Sequence, residues 1–142
     1  MKIGLKLSWL DLQITGTIFV MFNFVYKVLR SFTYAYQGFV SVLGERNMRV
    51  HVVGAIFAIW LGAFFHISKT EWYVVMILIA AVFALEMLNT AIEELANIVR
   101  DELKLSYKAT KRARDIAAGA VFVMAIVATI IGTMIFLPRI LN

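Results

Sequence analysis

Two glutamates and an asparagine share one stretch of an apolar run, Glu86-Met87-Leu88-Asn89-Thr90-Ala91-Ile92-Glu93. In mid-membrane an acidic residue costs roughly 2.5–3.5 kcal/mol, less toward an interface. A carboxylate kept there has work to do: taking a proton, holding a cation or bonding a neighbouring helix. At about 100° per residue, Glu86, Asn89, Thr90, Glu93 and Asn97 all fall within about 60° of one direction. That stripe must face protein or water rather than lipid. Glu86 lies about two turns deeper than Glu93 and is the candidate general base.

Further polar groups stand at the mouths of the neighbouring apolar runs. Glu45 precedes one, and Arg114-Asp115 precedes another. Glu45, Glu93 and Asp115 can therefore gather at one membrane face. Hard oxygen ligands in that setting suit Mg²⁺ shared with nucleotide phosphates. Plainer readings stay open for most of these residues. Asn89 can serve interhelical hydrogen bonding, and Glu93 and Glu94 can be solvated beyond the interface. Asp115 can cap its helix, and Arg114 can be a loop charge. Glu86 is the residue these readings explain least well. His51 and His66 read as interfacial residues rather than ligands, and Thr129 and Thr133 as bonding within their own helix. The chain has no cysteine, which excludes thiolate chemistry. It also lacks a G-x-x-x-x-G-K-[ST] loop and a kinase Gly-rich loop.

The elements that must position these groups are membrane helices. Of 142 residues, 62% are hydrophobic and 16% charged, and mean hydropathy is +0.85. A soluble domain runs near half apolar and about a quarter charged, so the expected class is an all-α integral membrane protein. Spans are expected at about 50–67, 72–90 and 116–137, the second helix continuing to about Val99 and the third stopped by Pro138. Gly54, Ala58 and Gly62 make a small-residue stripe on the first, suited to close helix approach. Residues 30–47 read as an amphipathic surface helix, with Phe32, Tyr36, Phe39 and Leu43 on one stripe beside Lys27, Arg30, Arg46 and Arg49. Residues 12–29 read as an anchor, as a further interfacial helix, or as sequence upstream of a start at Met21. The chain then divides into an extension, 1–20, and a three-span domain, 21–142. Net charge is +5, with the positive residues beside apolar runs, so anionic headgroups rather than nucleic acid are the expected neighbours. The 100–115 segment holds six Lys or Arg against one in the 68–71 turn. It is therefore placed in the cytoplasm together with residues 30–49.

Three motifs carry a resemblance: Glu45-Arg46-Asn47-Met48-Arg49-Val50-His51, Glu86 to Glu93, and Arg114-Asp115-Ile116-Ala117-Ala118-Gly119-Ala120-Val121. In this order they resemble the prokaryotic diacylglycerol kinase family, in its undecaprenol kinase branch from Gram-positive bacteria, over about residues 27–140. The resemblance implies a homotrimer with a surface helix and three spans. It implies transfer of the γ-phosphoryl group of MgATP to a lipid hydroxyl near the cytoplasmic face of the bacterial cell membrane. Glu86 then resembles the general base and Asn89 its polar neighbour. Glu45 and Glu93 resemble the Mg²⁺-linked carboxylates. Arg114 and Asp115 resemble the family's Lys-Asp pair, whose acidic member contacts nucleotide. Lys27 and Tyr34 fall where the surface helix adds nucleotide or substrate contacts. Three departures accompany the match: Arg114 where Lys is common, Asn97 where Asp is frequent, and about three extra residues before Arg114. The expected acceptor is undecaprenol. Diacylglycerol is the alternative, and a non-enzymatic oligomeric membrane protein is the competing class.

Overall fold

The computed structural model describes residues 9–141, with side chains described from residue 16. Four helices follow in order: α1 (Trp9–Val42), α2 (Arg46–Phe64), α3 (Lys69–Leu103) and α4 (Tyr107–Leu141). No strand occurs among the described residues. The helices α2, α3 and α4 are long and apolar enough to cross a membrane. At 1.5 Å per residue α2 is about 28 Å long, close to the ~30 Å hydrocarbon thickness. The 35-residue α3 and α4 reach about 52 Å and must project beyond it.

The chain falls into two compact units, Met1–Val40 and Ser41–Asn142. The first is built on α1, which runs without a break where the sequence suggested two segments meeting near residue 30. Side chains bond across that junction. Arg30 Nε donates to Tyr34 Oη at 2.6 Å, and Thr33 Oγ1 donates to the Leu29 carbonyl at 3.3 Å. Residues 20 and 21, the expected domain boundary, also lie inside this helix.

The second unit is an up–down–up arrangement of α2, α3 and α4, which all contact one another. Glu45, in extended backbone, precedes α2. A capping box starts α3. Glu71 N–H donates to Ser68 Oγ at 3.3 Å, and Ser68 N–H donates to Glu71 Oε2 at 2.8 Å, so two otherwise orphaned donors are satisfied reciprocally. Lys104, left-handed at φ 53°, ends α3, and Leu105 N–H turns back to the Arg100 carbonyl at 3.1 Å. The tight turn that follows lets α4 begin at Tyr107, well before the expected span, so most of the basic 100–115 segment is helical. Thr129 and Thr133 donate to the carbonyls of Ala125 and Thr129, each at 2.8 Å, as expected.

A buried apolar cluster lies at the α2–α3 turn. Ile67, Val75, Ile135 and Phe136 are buried together, flanked by Ala58, Leu61, Trp72 and Ile131. Pro138 does not stop α4, which continues to Leu141. Beyond it, Arg139 donates to the Ile135 carbonyl and through Nη2 to both Glu71 carboxylate oxygens at 2.9 Å. This pair pins the last turn of α4 to the first turn of α3. Gly62 lies against Trp72: a Cβ there would sit 3.0 Å from two indole carbons and 3.1 Å from Ile67 Cδ1. Overpacking of this kind costs about 1–3 kcal/mol. Gly62→Val is thus expected to lower the Tm of the purified protein in detergent; an unchanged Tm would show that Trp72 moves aside freely.

Candidate functional site

The opposite end of the second unit collects the N-terminus of α2, the outer part of α3 and the start of α4. Met48 is fully buried there and anchors the first turn of α2 beneath the site. On α3 the polar stripe is sheltered. Glu86 and Asn89 are 2% and 3% exposed, and Thr90, Glu93 and Asn97 are half-buried. Leu88, Ile92, Leu95 and Ile98, on the other faces, are exposed, as a helix facing lipid outward requires.

Glu45, Arg46, Asn47, Glu86, Thr90 and Glu93 line a polar cavity of about 190 Å³. Three carboxylates thus converge, two from α3 and one from the residue ahead of α2, with the Asn47 side chain interacting with Glu86. Asn89 Nδ2 donates to Glu93 Oε1 at 3.1 Å and is absent from the cavity wall. Its Oδ1 is buried and has no hydrogen-bond partner among the described residues. Asn89 therefore acts on the cavity by steadying Glu93 one turn away. His51 Nε2 stands 3.8 Å from Glu86 Oε2.

Asp115 is not in this cavity. Its exposed carboxylate pairs with Lys111 one turn earlier, at 3.1 Å. Glu86 instead supplies the third carboxylate beside Glu45 and Glu93. Arg114 Nη2 donates to Asn97 Oδ1 at 2.9 Å, and its Nε to Thr110 Oγ1 at 3.4 Å. The same guanidinium lies 5.1 Å from the centre of the Tyr107 ring. It is held between α3 and α4 and does not line the cavity. In the first unit, Lys27 is exposed on α1, and Tyr34, also exposed, carries the Arg30 guanidinium 5.4 Å from its ring centre.

The sequence reads His51 as an interfacial residue and gives Asn47 no role of its own, whereas the structure places both beside Glu86. They are four residues apart on α2, so they share a face. That spacing was the available signal, but it did not tell which helix the face meets.

A second cavity, of about 610 Å³, adjoins the site along α2, α3 and α4. Its wall runs from His51 and Gly54 past Ala58, Val82 and Ala125 to Phe136, and it is almost wholly apolar. That volume is within the range of small-molecule sites. The arrangement can present an apolar chain on one side of Glu86 and a multiply charged, cation-bound group on the other.

Residues 33–136 match the family model described as prokaryotic diacylglycerol kinase. The chain belongs to this family of lipid kinases. It is 36% identical over 118 residues to the undecaprenol kinase of Bacillus subtilis (strain 168), which covers 82% of this chain and 94% of that relative. It is 33% identical over 118 residues to the diacylglycerol kinase of Synechocystis sp. (strain ATCC 27184 / PCC 6803 / Kazusa), covering 82% of this chain and 66% of that one. No solved structure matches.

Proposed function

We propose that this lipid kinase transfers the γ-phosphoryl group of ATP, as its Mg²⁺ complex, to the terminal hydroxyl of undecaprenol. One observation carries the reading. A cavity walled by Glu45, Glu86 and Glu93 meets a long apolar groove at the His51–Glu86 pair. The identity to a relative named undecaprenol kinase supports the choice of acceptor.

The donor set fits Mg²⁺, since carboxylate and hydroxyl oxygens surround a small polar space. Among the described residues no group of three or more His, Cys, Asp or Glu is arranged to hold a metal by itself. This suits an ion completed by phosphate oxygens and water rather than an all-protein cage. Glu45 and Glu93 would hold it. When bound, it would supply charge neutralisation along the phosphates.

The chain's own residues do the rest. The acceptor's hydrocarbon chain lies in the groove, and its hydroxyl meets Glu86. Glu86 takes the hydroxyl proton as the oxygen attacks the γ-phosphorus in line. The bond from the γ-phosphorus to the bridging oxygen breaks, and ADP leaves. Asn89 keeps Glu93 in place. Arg114 and Asp115 serve nucleotide binding at the mouth of α4, with Lys27 and Tyr34 contributing nucleotide or substrate contacts from α1. The working protein is a homotrimer in the bacterial cell membrane. Its site lies at the cytoplasmic face, and α1 from residue 30 to Val42 lies along the headgroups as an amphipathic surface helix, while Arg46 and Asn47, expected in the same helix, belong to α2. Residues 21–142 form the catalytic domain, with 1–20 as an extension. The location follows from the substrates, because one cannot leave the bilayer and the other cannot enter it.

The second reading, diacylglycerol as acceptor, draws on the Synechocystis relative. Radiolabelled ATP supplied with each lipid in mixed micelles separates the two. Undecaprenol is expected to be favoured by about tenfold or more in kcat/KM, the discrimination a shaped apolar pocket provides. Equal or reversed preference overturns the acceptor assignment.

A further inference from the structure

The transfer just described gives His51 no part, yet His51 stands where the two cavities meet. It lines the apolar groove and is absent from the polar cavity; Glu86 lines the polar cavity and is absent from the groove. The pair joins the two. The imidazole is 21% exposed and the carboxylate 3%. A hydroxyl carried by a chain in the groove can reach Glu86 beside this ring.

The separation is informative. At 3.8 Å, Nε2 and Oε2 are too far apart for a direct hydrogen bond, which needs about 2.7–3.2 Å. They are near enough for one hydroxyl oxygen to bond both. A lipid alcohol has one O–H donor and two lone pairs, so it can donate to a carboxylate while accepting from an imidazole N–H. We infer that His51 binds the acceptor hydroxyl: Nε2–H donates to the lipid oxygen while the lipid O–H donates to Glu86 Oε2. Glu86 then takes the proton as the new O–P bond forms, and His51 keeps its own proton throughout. The tautomer with hydrogen on Nε2 is part of the inference. Asn47, one turn earlier on α2, lines the polar cavity together with Glu86, on the side of the carboxylate away from the groove-lining His51.

This inference rests on the kinase reading above and deepens it. The test compares His51→Leu, which fills the space without a donor, with His51→Gln, whose amide nitrogen reaches about as far as Nε2. KM for undecaprenol, KM for ATP and kcat are measured separately in mixed micelles. The leucine variant is expected to lose about tenfold in kcat/KM for the lipid, the effect of one hydrogen bond. Its KM for ATP should stay within about twofold of wild type, since no nucleotide contact is removed. Glutamine should restore lipid kinetics to within about threefold, because the donor returns. Wild-type lipid kinetics in the leucine variant overturn the assignment, as does a defect confined to KM for ATP. Equal impairment of leucine and glutamine variants with wild-type Tm overturns it too. Should the leucine variant fold poorly, His51→Asn, with a donor about one bond too short, replaces it and is expected to behave as leucine does. A folded wild-type protein that phosphorylates no lipid alcohol sinks the kinase reading itself, an outcome visible before any variant is made.

Discussion

Replacing Glu86 with Gln is expected to reduce kcat by about 10³-fold, within the range for loss of a general base, while leaving KM for ATP near its wild-type value. The substitution is nearly isosteric, so it opens no hole in the 2%-exposed site. An amide oxygen still accepts from Asn47 and remains beside His51. What it cannot do is take a proton from an alcohol. The defect should therefore fall on turnover rather than on nucleotide binding, the pattern of an interaction made only in the transition state. Steady-state kinetics with saturating lipid, together with a nucleotide-binding measurement on the same preparation, give the answer. Turnover above about a tenth of wild type would remove Glu86 as the base.

The second large effect concerns the cation. Glu45→Gln and Glu93→Gln are each expected to raise the Mg²⁺ concentration for half-maximal activity by about 10²-fold, since each removes one charged ligand from the same ion. Glu93 is the sharper test. A glutamine there keeps an oxygen for Asn89 Nδ2, so the 3.1 Å hydrogen bond can persist and only the charge is lost. The double variant should fall short of the product of the two single effects, because both act on one ion. The check is a Mg²⁺ titration of activity at fixed ATP. An unchanged titration in either single variant rules that carboxylate out as a ligand.

The helical face on α3 was legible because its period is local. The rotation that aligns Glu86, Asn89, Thr90 and Glu93 is set within three turns of one helix, and the structure shelters that face. The presence of Glu45 at the same end was legible more coarsely, through the charges of the connecting segments. Contacts between helices were not legible. Nothing in the spacing of α2 says that its Asn47 and His51 side meets Glu86, because crossing angle and rotation are set by packing between helices and not by the period of one of them. The same gap explains Asp115. Sequence places it at the right end of the unit, but the rotation of α4 turns it outward to Lys111. Helix ends were less legible than helix faces. Past Pro138, α4 continues to Leu141 with Arg139 reaching Glu71 on α3, a contact between helices, and α1 runs unbroken through residue 30.

The Arg114–Asn97 contact brings together two of the departures from the family's common residues. A carboxamide can orient a guanidinium through its single acceptor oxygen, but it offers neither a second acceptor nor an opposing charge. With Asp at position 97 the cation would be neutralised within the protein. With Asn it is only aimed, and the guanidinium has no carboxylate partner at that contact between α3 and α4. An incoming polyanion feels the guanidinium's charge before it touches anything, so capture of the phosphate donor should weaken as ionic strength rises and the Debye length shrinks.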